Sequence, residues 1–207
     1  MLDGVMRRLI DPVLDRVARH LASSGLKADH VTLAGFALGM GCAGMIVIQY
    51  DVLALLLLAL GRFADGLDGA LARATHVTDR GGFLDITLDF LFYGSVPLAF
   101  ALRDPVQFAL PATVLLAAFY ANGASFLAFS ALAAKRDMKT TMRGPKSLYF
   151  TTGLTEGTET IAFFVAFILS PQWFGPLSYA FAALCMITCV ARILLGWRVF
   201  GVDDGAN

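Results

Sequence analysis

Six apolar runs dominate the sequence, and each is long enough to cross a bilayer. A helix needs roughly 20 apolar residues to span about 30 Å of hydrocarbon. The runs lie near Val31–Gln49, Val52–Arg73, Gly81–Leu102, Val106–Ala134, Ser147–Leu169 and Leu177–Trp197. The fourth is long enough to tilt or to extend past the bilayer. The composition agrees. Of 207 residues, 57% are hydrophobic and only 15% charged, against about 25% charged in soluble domains. Disorder is excluded, because a disordered chain needs low hydrophobicity and high net charge. The formal net charge is zero, so no bulk basic field points to nucleic acid. Cys42, Cys185 and Cys189 sit in apolar runs and form neither a disulfide framework nor a zinc spacing.

The first thirty residues follow a different pattern. Val5, Leu9, Val13, Val17 and Leu21 repeat every four, with Met6, Ile10 and Leu14 beside them, while Arg7, Arg8, Asp11, Asp15, Arg16 and Arg19 take the other face. That pattern predicts an amphipathic helix lying in the membrane interface. A soluble helix packed on a partner is the competing reading. The expected architecture is an all-α integral membrane protein forming a single domain over residues 1–207. Residues 1–27 supply the interfacial helix and residues 31–199 a bundle of six transmembrane helices.

Basic residues set the orientation. Arg7, Arg8, Arg16, Arg19 and Lys27 precede the first span, Arg73 and Arg80 bound the loop after the second, and Lys135, Arg136, Lys139, Arg143 and Lys146 crowd the loop after the fourth. The opposite side has only Arg103. The positive-inside rule then places both termini and the basic loops in the cytoplasm, with the chain in the plasma or inner membrane of the cell.

Asp65, Asp68, Asp85 and Asp89 fall within spans, where a carboxylate is costly and therefore a functional candidate. At about 1.5 Å rise per residue, Asp65 and Asp89 lie roughly 21 Å from the outer end of their spans. Asp68, Asp85, Thr32 and Arg192 come out at about 25 to 27 Å, and Glu156 at roughly 20 Å. Polar groups from five spans thus converge on one layer near the cytoplasmic face. Asp65 and Asp68 are spaced i,i+3, and Asp85 and Asp89 i,i+4, so each pair shares a helix face. Four facing carboxylates repel, and divalent cations relieve the repulsion. Hard oxygen ligands suit Mg²⁺ or Mn²⁺, and a two-metal clamp on a phosphoryl group is the natural use. The competing reading is hydrogen-bonded helix packing by protonated aspartates. Gly66, Gly69, Ala70 and Ala72 lie among the acids, where small residues let a ligand approach the backbone or let helices pack closely.

The stretch DGLDGALAR, then ATHVTDR, then GGFLDITLD resembles the signature of the CDP-alcohol phosphotransferase family, D-x-x-D-G-x-x-A-R followed by G-x-x-x-D-x-x-x-D. It falls on Asp65, Asp68, Gly69, Ala72, Arg73, Gly81, Asp85 and Asp89. Seven residues separate Arg73 from Gly81, where eight is commoner. The segment ADHVTLAGFALG is similar to the family at Thr32 and Gly35, with Ala28 and Asp29 in place of a Pro-Asn start.

The resemblance implies a phosphatidyltransferase of phospholipid biosynthesis. CDP-diacylglycerol would give its phosphatidyl group to a small alcohol, and CMP would leave. It implies that Asp65, Asp68, Asp85 and Asp89 surround Mg²⁺ or Mn²⁺, with Asp89 also the general base. Thr32, Asp68, Gly69, Ala72 and Arg73 would line the CDP pocket, and the chain would form a homodimer. The residues agree with this chemistry. A cation such as Arg73 offsets pyrophosphate charge, and a positioned carboxylate can deprotonate an alcohol.

The acceptor pocket is assigned to Lys146, Glu156 and Arg192. Arg192 lies within the sixth span and needs a partner there. That partner is either an acceptor phosphate, with Lys146 assisting, or Glu156 or Glu159. The polar segment TTGLTEGTET, residues 151–160, forms one wall. Two other functions fit an acidic intramembrane cluster: a cation transporter, and an aspartate- and Mg²⁺-dependent intramembrane prenyltransferase. Transporters favour a midplane site on broken helices, often with repeats, and neither feature is evident.

Overall fold

The structure is a computed structural model that describes residues 3–23, 25–136, 138 and 157–201. Among these residues the secondary structure is entirely helical. The elements are α1 (Asp3–Ser23), α2 (Ala28–Val47), α3 (Asp51–Ala74), α4 (Asp79–Arg103), α5 (Pro105–Lys135), α6 (Gly157–Leu169) and α7 (Phe174–Phe200). A single 3-10 turn, Pro171–Trp173, joins α6 to α7.

The helix ends follow from local chemistry. Thr78 caps α4 by accepting from the Gly81 amide at 3.0 Å, and Asp104 caps α5 by accepting from the Gln107 amide at 3.1 Å. Both satisfy donors that a helix start leaves unpaired. Pro105 opens α5, where a missing N–H costs nothing.

Four helical segments are long and apolar enough to cross a membrane: Ala28–Val47, Asp79–Arg103, Pro105–Lys135 and Pro171–Phe200. The remaining two of the six expected spans differ in informative ways. Helix α3 has 24 residues but carries Arg62, Asp65, Asp68 and Arg73, which lower its apolar character. Helix α6 has 13 described residues, because residues 147–156 of the expected fifth span lie outside the described residues. At 31 residues, α5 is about 46 Å long, in line with the long fourth run.

Helix α2 packs on α3 and α4, α4 on α5, and α5 on α7. A phenylalanine-rich core fills the bundle on the side of the α4–α5 connection. Phe100 stacks on Phe174 at 4.3 Å between centroids, and Phe163 on Phe181 at 4.3 Å. Arg103 and Asp51 form a two-pronged ion pair that ties the end of α4 to the start of α3.

Helix α1 docks on the bundle. Its Leu14 and Ala18 are buried in a second core with Val31, Leu67, Ala70 and Leu71. A Cβ on Gly66 would stand 2.8 Å from Leu14 Cδ1, so Gly66 serves the packing of α1 on α3. Val13 is exposed. Of the expected apolar stripe, the part near Leu14 therefore faces α3.

Candidate active site

Three of the four aspartates, Asp65, Asp85 and Asp89, reach one place because α3 and α4, joined through the short link Thr75–Thr78, both pack on α2 rather than on each other. The C-terminal half of α3 brings Asp65 and Asp68, and the N-terminal half of α4 brings Asp85 and Asp89. Helix α2 closes the site against both. Gly35 makes this possible: a Cβ there would meet Ala64 Cβ at 3.2 Å and the Gly61 carbonyl oxygen at 3.4 Å. The backbones of α2 and α3 come this close because both positions lack side chains.

A cleft opens between these helices, lined by Thr32 and Gly35 of α2, Arg62 and Asp65 of α3, and Asp85 and Asp89 of α4, among others. Carboxylate oxygens of Asp65, Asp85 and Asp89 all lie within 4.8 Å of one another. Oxygens ligating one Mg²⁺ at about 2.1 Å lie up to about 4.2 Å apart, so the spacing of these three is close to that of a single coordination shell. Asp68 sits deeper, 5% exposed, and its Oδ2 is buried without a hydrogen-bond partner. The Thr32 hydroxyl donates to the Ala28 carbonyl at 3.1 Å and lies beside the Asp68 carboxylate. A buried carboxylate oxygen with no donor is costly unless a cation or ligand serves it. The donor set, carboxylates only, is that of a hard divalent cation.

Arg62 is the participant that the sequence reading missed. Its Nη1 lies 3.2 Å from Asp89 Oδ1 and 3.4 Å from Asp65 Oδ2, and its guanidinium stands 4.7 Å from the Phe92 ring centroid. The signal was present: a basic residue inside an apolar span, three positions before Asp65.

The remaining motif residues, Gly69, Ala72, Arg73 and Gly81, are not among those that line this cleft. Arg73 is exposed at the end of α3 and pairs with Asp15 of α1 at 3.6 Å. Its Nη1 lies near Gly69, where a Cβ would approach it to 3.5 Å. Ala72 is half-buried beside it, whereas Ala70 belongs to the core under α1. A Cβ on Gly81 would come within 3.0 Å of the capping Thr78 hydroxyl and 3.4 Å of Asp29 Oδ1. Asp29 itself pairs with Arg80, tying the start of α2 to the start of α4.

Arg192 is buried at 8% exposure, and α5 holds it. Its Nη1 donates to the Asn122 carbonyl and to Asn122 Oδ1, both at 2.9 Å, and to Ser125 Oγ at 2.7 Å. No carboxylate among the described residues pairs with it. Glu159 lies in the first turn of α6, and Lys146 and Glu156 lie outside the described residues.

Residues 25–200 match the family model described as CDP-alcohol phosphatidyltransferase. The chain belongs to the CDP-alcohol phosphatidyltransferase family. This phosphatidyltransferase is 46% identical over 95% of its length to the inner membrane protein YnjF of Escherichia coli, covering 96% of that relative. It is 31% identical over 93% of its length to the archaetidylinositol phosphate synthase of Pyrococcus horikoshii, covering 95% of it. Its fold is similar to the crystal structure of Mycobacterium tuberculosis phosphatidylinositol phosphate synthase with CDP-DAG bound, with a TM-score of 0.69 at 22% identity. That likeness covers 95% of this phosphatidyltransferase and 100% of the solved chain. The transporter and prenyltransferase readings give way to a membrane transferase of phospholipid biosynthesis.

Proposed function

We propose that the protein transfers the phosphatidyl group of CDP-diacylglycerol to the hydroxyl of a small alcohol, releasing CMP. One observation carries this reading: the Asp65, Asp85 and Asp89 carboxylates converge in a cleft beside Thr32, with Asp68 buried three residues after Asp65 on α3. This is the arrangement a diphosphate-bearing donor and its divalent cations need. The fold of the neighbour solved with CDP-DAG supports the same donor.

In this reading the four aspartates hold Mg²⁺ or Mn²⁺, two ions being the natural number for the charge. When bound, the ions offset the negative charge of the donor diphosphate. The chain's own residues do the rest. Asp89 accepts the proton of the acceptor hydroxyl as its oxygen bonds to the phosphatidyl phosphorus. The bond from that phosphorus to the CMP oxygen breaks, and CMP departs with the electron pair. Arg73 binds the donor phosphates, with Gly69 and Ala72 leaving room beside it. Its exposed pair with Asp15 is weak enough to yield to a diphosphate.

The acceptor belongs to the phosphorylated class. Arg192 is buried and its Nη1 is fixed by the neutral groups of Asn122 and Ser125, so its charge is left for an acceptor anion to offset. Lys146 and Glu156, assigned to the same acceptor pocket from the sequence, lie outside the described residues. The named products of the archaeal and mycobacterial proteins contain an inositol phosphate, in line with this class. The protein is a single domain of six spans in the inner membrane. Both termini and the site face the cytoplasm, and two copies form a homodimer.

The test is an acceptor panel. Purified protein receives CDP-diacylglycerol, Mg²⁺ or Mn²⁺, and in turn glycerol 3-phosphate, inositol 1-phosphate, inositol, serine and choline. The reading predicts CMP release with a phosphorylated acceptor. Productive use of only uncharged alcohols would remove the phosphate assignment.

A further inference from the structure

Arg62 is a cation built into the fold at the spot where the acidic cluster concentrates negative charge. It belongs to no motif position, yet it touches two of the three clustered carboxylates through a single nitrogen, Asp89 at 3.2 Å and Asp65 at 3.4 Å. Its side chain is 18% exposed, so solvent screens these pairs little. Its Nε is buried without a hydrogen-bond partner, so carboxylates and aromatic faces are the groups that stabilise the guanidinium. The rings are fixed. Phe92 is 2% exposed, lies against Gly39 of α2 and meets Phe164 edge-on at 5.9 Å. Its centroid is 4.7 Å from the guanidinium carbon, and that of Tyr93 is 5.9 Å away. A guanidinium so placed has two kinds of partner, the carboxylates on one side and aromatic faces on the other.

We infer that Arg62 is the intrinsic counter-cation of the acidic cluster and competes with divalent cations for Asp65 and Asp89. The inference rests on the proposed metal site. A carboxylate oxygen engaged by a guanidinium is a poorer ligand, since binding an ion there means giving up the ion pair. Loading the site therefore shifts Arg62 away from Asp65 and Asp89, toward Phe92 and Tyr93, which hold the cation without neutralising a ligand. The device keeps the cluster stable at low metal and sets the metal affinity below what the aspartates alone would give.

The test measures metal binding and stability, independent of turnover. Purified protein in detergent micelles is titrated with Mn²⁺, free ion being followed by electron paramagnetic resonance, and thermal unfolding is recorded in EDTA and in Mn²⁺. For Arg62→Gln we expect Mn²⁺ binding tighter by about tenfold or more, the lower end of measured couplings for close charge pairs. Its unfolding temperature should fall in EDTA and recover with Mn²⁺. Unchanged or weaker Mn²⁺ binding would overturn the inference. Arg62→Lys keeps the charge but loses the planar fork and should bind Mn²⁺ with intermediate affinity. If the glutamine variant does not fold, a lysine variant no tighter than wild type overturns the inference in its place. Asp65→Asn and Asp89→Asn separate the two levels. If both retain full Mn²⁺ binding, the metal site itself is wrong and the role of Arg62 falls with it. If both weaken binding while Arg62→Gln does not strengthen it, only the role of Arg62 falls.

Discussion

Gly39 of α2 presses its backbone against the ring of Phe92, so that a Cβ on Gly39 would stand 2.6 Å from Phe92 Cδ2. The contact sets the distance between α2 and α4 next to the cleft that Phe92 helps to line. Phe92 is buried and wedged against Tyr93 and Phe164, so it has little room to retreat. Gly39→Ala should lower stability by about 1–3 kcal/mol, the usual cost of overpacking a core. Adding Phe92→Leu to Gly39→Ala should recover part of that loss. Thermal unfolding of the single and double variants in one detergent checks both expectations.

Asp89→Asn keeps the size of the side chain and removes its charge and proton affinity. With Asp89 as the base, turnover should fall by about 10² to 10⁴-fold while the protein stays folded. Near-normal turnover of the purified variant would remove Asp89 from that role.

Arg73→Ala should weaken the dependence on CDP-diacylglycerol and leave the acceptor dependence almost unchanged. Asp15→Ala, which frees Arg73 from α1, should not weaken donor binding, because the Arg73–Asp15 pair is exposed on both sides and such pairs contribute little. Steady-state kinetics with each substrate varied in turn separates the two. An acceptor-only effect of Arg73→Ala would move it to the other pocket.

Arg192→Gln should raise the KM for a phosphorylated acceptor at least about tenfold, a modest estimate for losing a charge-assisted contact, with CDP binding retained. Asn122→Ala should act in the same direction but less, since it removes one anchor of the guanidinium and leaves the charge. Unchanged acceptor affinity in Arg192→Gln would exclude the phosphate role.

The aspartate layer was legible in the sequence because helical spacing and depth are arithmetic. Asp65 with Asp68, and Asp85 with Asp89, each share a face, and a short link makes their helices antiparallel. Asp65, Asp85 and Asp89 indeed come together, with Thr32 beside them. Arg62 stands three residues before Asp65 and outside the motif, and its role follows only from the folded contacts with Asp65 and Asp89. The partners of Arg192 were out of reach for a different reason. Asn122 and Ser125 lie about 70 positions earlier in the chain, and only the packing of α7 on α5 brings them near. Gly66 and Ala70 were readable as ligand-facing or as packing residues, and the choice depended on where α1 docks. Leu14 settles it for packing. The six-run count followed from hydropathy alone, whereas the charges on α3 show that a helix serving the site is less apolar than its neighbours.

The proposed reaction moves a phosphatidyl group from CDP-diacylglycerol to an alcohol at the aspartate cleft. The most direct measurement is the stoichiometry of CMP and new phospholipid formed by purified protein supplied with CDP-diacylglycerol, inositol 1-phosphate or glycerol 3-phosphate, and Mg²⁺ or Mn²⁺. We predict one CMP for each phospholipid, dependent on both the acceptor and the divalent cation. No CMP with either acceptor and either metal, or CMP released without a matching phospholipid, would contradict the account.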